Sequence, residues 1–87
     1  MKKSEIKAKA QKMEPSVVVG KDGLSRGVMD TLDQQLKKSK IVKVRFHRSA
    51  LEDPKISDRK ALARLLADRT GSELIEVKGL TAVLYRQ

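Results

Sequence analysis

The chain has no cysteine and no tryptophan, and only one histidine, one phenylalanine and one tyrosine among its 87 residues. Without cysteine there are no disulfides and no thiolate metal sites, and a reducing compartment such as the cytoplasm suits the chain. One histidine and no cysteine leave no base beside a nucleophile, so the chain is not expected to be an enzyme, and nothing implies a cofactor. Glu52-Asp53 has no partner ligands for a metal. No apolar run approaches the roughly 20 residues of a membrane span. Met-Lys-Lys-Ser at the start is followed by no apolar segment of a signal peptide. The expectation is a soluble, cytoplasmic chain that does not engage a membrane. Its length suits one domain over residues 1–87, with one modest core.

What the chain has in abundance is positive charge. Twenty Lys and Arg stand against 11 Asp and Glu, a net charge of +9. The charge is uneven: residues 1–48 hold 13 basic and 5 acidic side chains, whereas residues 49–87 hold 7 and 6. A basic half on an otherwise balanced domain is what a polyanion-binding face requires, because each neutralised phosphate releases condensed counterions.

Hydrophobic spacing orders the elements. Ile6, Ala10 and Met13 form a thin stripe on a first helix that Ser4 can cap, and Glu14-Pro15 stops it. Ser-Val-Val-Val-Gly reads as a short strand. Ser25 is a good N-cap for a second helix, with Leu24 and Met29 placed as a hydrophobic staple and Val28, Leu32 and Leu36 continuing inward. That helix ends at Lys37-Lys38-Ser39-Lys40, where cations complement the dipole. The next strand alternates, with Val42, Val44 and Phe46 toward the core and Lys43, Arg45 and His47 on the other side. After a loop containing Glu52-Asp53-Pro54, Ser57 is the expected cap of a third helix carrying Leu62, Leu65, Leu66 and Arg69, and Gly71 is its C′ residue. Two strands joined through Lys78-Gly79 close the chain. The order α-β-α-β-α-β-β requires a parallel strand-helix-strand unit and an antiparallel final pair. The last strand is apolar on both faces and belongs inside the sheet. A two-layer α/β (α+β) domain with a mixed four-stranded sheet satisfies these constraints.

Gly20-Lys21-Asp22-Gly23 falls between a strand and a helix N-terminus. Glycines there permit unusual backbone angles and close approach, and the unpaired N–H groups of the helix favour an anion. Lys21 adds a cation and Ser25 a hydroxyl. The segment is neither a nucleotide P-loop nor a dinucleotide fingerprint, because Leu24 follows the second glycine and G-x-G-x-x-G is absent. In a parallel arrangement the loop lies beside His47-Arg48, and beside Lys78 if the third strand is also parallel. Arg26 projects from the first helical turn. If the first helix runs antiparallel to the first strand, Lys2, Lys3 and Lys7 return to the same edge. His47 reads as a surface or polyanion-contacting side chain, and Tyr85 as a packed sheet residue. With two aromatics, recognition leans on backbone and shape rather than stacking.

The segments "VVVGKDGLSRGVMDTLDQQLKKSKIVKVRF" and "RTGSELIEVKGLTAVLYR" resemble the CRM domain, the chloroplast RNA splicing and ribosome maturation module, in particular its stand-alone YhbY-type prokaryotic members. The resemblance implies a fold like the C-terminal domain of translation initiation factor 3. It also implies RNA binding through the GxxG loop and nearby basic residues, and association with large-subunit rRNA or pre-ribosomal particles. The RNA-binding set expected on this basis is Gly20, Lys21, Asp22, Gly23, Ser25, Arg26, Lys43, Arg45, Arg48, Lys78, Lys2, Lys3 and Lys7, on a monomer. Asp22 and Leu80 depart from the family pattern, where a basic or neutral residue and a basic residue are common; both shift the expected phosphate contacts toward Lys21, Arg26 and the lysine-rich helix. The competing reading is a nucleoid-type, Alba-like protein on double-stranded DNA.

Overall fold

The computed structural model describes residues 2–20, 23–51 and 58–87. Among them the elements run α1 (Lys3–Gln11), β1 (Val17–Val19), α2 (Arg26–Ser39), β2 (Ile41–Phe46), a 3-10 turn (Arg48–Leu51), α3 (Arg59–Thr70), β3 (Glu73–Lys78) and β4 (Thr81–Tyr85). The four strands form one mixed sheet in the order β1-β2-β4-β3. β1 and β2 are parallel, and β4 is antiparallel to both of its neighbours. The last strand is therefore internal, and its Ala82, Val83 and Leu84 are all buried.

The main core lies between the sheet and helices α2 and α3. Val42, Val44 and Phe46 of β2, Ala82 and Leu84 of β4, and Val17 and Val19 of β1 meet Leu32, Leu36, Leu62 and Leu66. Phe46 is wholly buried there, worth roughly 1.5–3 kcal/mol relative to exposure. The expected two layers are present, and α1 adds a partial third on the opposite face. Its Ile6 and Ala10 pack on Ile41, Ile75 and Val83, with Met13 and Tyr85 at the margin. Beyond Ile75 the strand is bulged: Leu74 pairs with Leu84 but Glu76 pairs with Val83, so β3 carries one extra residue. Strict alternation would turn Glu76 toward α3 and Val77 away from it. The bulge keeps Leu74 and Val77 against the main core and leaves Glu76 on the α1 side.

Helix ends follow local chemistry with two differences. Ser25 caps α2, its Oγ accepting from the Val28 N–H at 3.3 Å. Gly71 has φ +64°, and the Ser72 and Gly71 N–H groups donate to Ala67 and Asp68, closing α3 as a Schellman motif. Ser4, in contrast, sits inside α1: the extended residue before the helix is Lys2, which makes no side-chain cap. α3 is capped by Asp58, whose carboxylate accepts from the Lys60 N–H at 3.0 Å; Ser57 and the Glu52-Asp53-Pro54 loop lie outside the described residues. The buried stripe of α3 is Leu62, Ala63, Leu66, Ala67 and Thr70, while Leu65 is half-buried and Arg69 exposed. A helix packed closely on a sheet face buries alanines that hydropathy alone undervalues.

The C-terminal strand is pinned by Arg86. Its Nη1 donates to Asp33 Oδ1 at 2.8 Å and to the Thr70 carbonyl at 2.7 Å, and its Nη2 donates to the Asp33 carbonyl at 3.0 Å. One guanidinium thus joins α2, the end of α3 and β4. The hydrogen bond from Arg86, supported by Lys37 at 3.3 Å, holds the Asp33 carboxyl below its usual 3.8. The Arg86 N–H also donates to the Lys40 carbonyl at 2.9 Å. Lys40 has φ +65°, the left-handed turn that passes the chain from α2 into β2 through a single residue.

Because folding depresses the Asp33 pKa, its contribution to stability is complete above pH 3.8 and lost as pH falls through the lower folded value. Asp33→Asn should lower the melting temperature at neutral pH, and the gap from the native chain should close in melts below that window. Lys40→Gly should raise the melting temperature. The left-handed Cβ strain of roughly 1 kcal/mol disappears, partly offset by the greater freedom of glycine in the unfolded chain.

Candidate nucleic-acid interface

With β4 inserted between them, β2 and β3 run in the same direction, which β1 shares. The carboxyl ends of these three strands lie along one edge of the sheet. The His47 N–H donates to the Val19 carbonyl at 2.8 Å, and the Phe46 N–H to the Leu80 carbonyl at 2.6 Å. These bonds bring the Gly20–Gly23 turn, the His47-Arg48 segment and the β3–β4 turn together, as the sequence predicts. The Gly23 N–H donates to the Gly20 carbonyl at 2.9 Å; Lys21 and Asp22 lie outside the described residues.

The two glycines differ in what they do. Gly23 has φ +63°, which a side chain would strain. Gly20 has no such φ, and a Cβ placed on it would meet nothing within 4 Å. The fold therefore requires glycine at 23 but not at 20, and the bare backbone at Gly20 faces open space beside the N-terminus of α2. Ser25 caps that helix, and Arg26 is exposed on its first turn.

Beyond the loop, one register row crosses the sheet from Val18 to Arg45, Thr81 and Lys78. Its side chains lie on the face opposite α2 and α3. Arg45 and Lys78 are exposed, and Val18 is 55% exposed, the one large apolar side chain so open among the described residues. Around the end of β2, Arg45, Phe46, His47, Arg48 and Leu80 line a groove of about 270 Å³. Leu80 thus supplies apolar lining between two arginines. His47 accepts at Nδ1 from the Ser49 backbone N–H at 3.2 Å, with the Ser49 hydroxyl 2.8 Å away. A backbone N–H can only donate, so Nδ1 is the acceptor in this contact. His47, one residue beyond β2 and next to Arg48, lines this groove although it is not in the RNA-binding set expected from the sequence.

Two expectations for the lysines need correction. Lys43 is half-buried, and its ammonium donates to the Ala10 and Met13 carbonyls at 3.2 and 3.3 Å. It closes the C-terminal end of α1, where carbonyls lack helical partners. Alternation put Lys43 on the charged side of β2, but α1 covers that side. Lys2, Lys3 and Lys7 do not converge on the loop either. The Lys3 ammonium lies 3.4 Å from Glu73, which pairs with Tyr85 at the opposite end of the sheet. Lys2 precedes Lys3 there, and Lys7 is one turn along the same helix, half-buried. The helix runs from that end toward Lys78 and Thr81, beside which Gln11 lies. The lysines nearer the loop edge are those at its C-terminal end, Lys9 and Lys12.

Fold and edge together define a small α+β domain that presents a glycine turn and a cluster of cations along one side of a mixed sheet. The model of the CRS1/YhbY (CRM) domain matches residues 1–86, and the chain belongs to that family. It is 36% identical over 81 residues to a protein of Methanocaldococcus jannaschii named a probable RNA-binding protein, an alignment that spans 93% of this chain and 58% of that one. A Pseudomonas aeruginosa protein with the same style of name is 29% identical over 85 residues, spanning 98% and 77% of the two chains. The solution structure of a hypothetical protein from Staphylococcus aureus superposes with a TM-score of 0.76 at 27% identity, covering 98% of this chain and 83% of the other.

The separate duties of two lysines are testable. Lys43→Met should lower stability by about 1 kcal/mol through the lost hydrogen bonds and speed amide exchange in α1. Lys78→Met, at an exposed turn, should leave both unchanged in the same thermal melts and exchange measurements.

Proposed function

We propose that this chain is a single-domain, non-catalytic RNA-binding protein that lays its loop edge along an RNA backbone. The observation that carries the reading is the convergence at one edge of the Gly20–Gly23 turn, the N-terminus of α2 with Arg26, and the Arg45, Arg48 and Lys78 side chains. Open backbone at Gly20 lets a phosphate approach the helix N-terminus, and the cations around it neutralise its neighbours. The relatives named as RNA-binding proteins support the same reading. The proposal extends to rRNA of large-subunit precursors as the target, in the cytoplasm, with the chain acting as a monomer; membership of the CRM family is what motivates the choice of RNA.

The test is a fluorescence-anisotropy titration of a large-subunit rRNA fragment and a DNA duplex of equal length across a salt series. Preference for RNA at near-physiological salt is the expected result; equal, steeply salt-dependent binding to both would reduce the edge to a generic basic surface. Gly20→Asp should keep the native melting temperature and weaken RNA binding at least about tenfold, by blocking and acidifying the approach to the helix N-terminus. Arg26→Ala and Arg48→Ala should each reduce the salt slope by about one, the signature of a lost phosphate contact.

A further inference from the structure

Where α1 ends, the sheet face it covers becomes open and leaves a notch of about 140 Å³. Ala10 forms one wall. Lys43, Val83 and Glu76, neighbours in one register row, form the floor, and Thr81 and Lys78 of the next α1-side row border it toward the loop edge. A space of this size suits one planar heterocycle rather than a length of backbone.

The charges in the notch define what fits. Glu76 is half-buried, and among the described residues it forms no ion pair, although two lysines line the same space. Two of the three Lys43 N–H donors are held by α1 carbonyls, and the Lys78 ammonium is exposed. A phosphate carries only acceptors and would leave the Glu76 carboxylate without a donor. A neutral ring with adjacent donors for that carboxylate, and an acceptor beside them for an ammonium, would satisfy both. Guanine carries that pattern: N1–H and the N2 amino group lie side by side, with O6 next to them. Uracil offers one N–H between two carbonyls, and adenine one donor beside one acceptor. Val83 and Ala10 supply apolar surface against the ring.

We infer that this notch holds an unpaired guanine of an RNA bound along the loop edge, with Glu76 accepting from N1–H and N2–H and Lys78 donating to O6. This rests on the RNA-binding reading and adds base selectivity to it. The notch adjoins the edge through Lys78 and Thr81, so one strand can lie on the cations and turn a base into it.

The test uses the full chain with short single-stranded oligouridine RNAs carrying guanosine, inosine, adenosine or no substitution at one central position, titrated by anisotropy. The guanosine strand should bind about tenfold more tightly than plain oligouridine, within the range of a bidentate contact. Inosine, which lacks the N2 amino group, should fall between them. Glu76→Gln should abolish the guanine advantage without weakening binding to oligouridine. Equal affinity for the guanosine and uridine strands, or inosine equal to guanosine, overturns the inference on the native protein while RNA binding stands. A guanine preference that survives Glu76→Gln overturns it too. Failure of all four RNAs to bind while the rRNA fragment binds overturns the inference alone; failure of the rRNA fragment as well overturns it together with the RNA-binding reading.

Discussion

The loop edge exists because β4 is inserted antiparallel between β2 and β3. That insertion makes β2 and β3 co-directional without being neighbours, so their carboxyl ends emerge on the side where β1 also ends. The glycine turn, the His47-Arg48 segment and the Lys78–Leu80 turn share an edge for this reason alone. The strand is held in register by its apolar residues on both faces and, at its far end, by Arg86. The Arg86 guanidinium reaches Asp33 on α2 and the last carbonyl of α3, so both helices over the main core are tied to the same strand. Withdrawing β4 would split the sheet between its parallel and antiparallel halves and leave the loop edge without its third component.

A net charge of +9 overstates the charge available to a ligand. Some cations are structural: Arg86 is clamped among α2, α3 and β4, Lys43 closes α1, and Lys3 meets Glu73 at the far end of the sheet. A guanidinium suits the first role because its planar fork satisfies a carboxylate and two carbonyls at once. An ammonium suits the second because it is compact enough to sit beneath a helix end. The remaining exposed cations around the loop are long side chains over a flat edge, an arrangement that follows a phosphate backbone without reading its sequence. Base discrimination needs donors and acceptors in a recess, and the notch beside Glu76, on the other side of Lys78, is where we propose they act.

Periodicity was a reliable guide where one physical cause acted alone. Val42, Val44 and Phe46 alternate because one face of β2 is the core. The Ser25 cap and the left-handed Gly71 follow from bonds within a few residues. Family resemblance and element order agreed on the mixed four-stranded sheet. Two helix starts differ from the reading: α1 begins two residues earlier than a Ser4 cap allows, and Asp58 rather than Ser57 caps α3. The extra residue in β3 is invisible in Glu-Leu-Ile-Glu-Val, since either register of that segment leaves some apolar residue facing outward.

The chain by itself determined its element order, the internal position of its last strand and the presence of glycines before a capped helix, since each depends on residue type at short range. Tertiary structure alone decided which cations are free. The direction of α1 across the sheet turned Lys2 and Lys3 away from the loop, placed a helix end over Lys43 and opened the recess at Glu76. Helix direction is set by packing Ile6 and Ala10 against Ile41, Ile75 and Val83, contacts between residues far apart in sequence, and no local propensity encodes it.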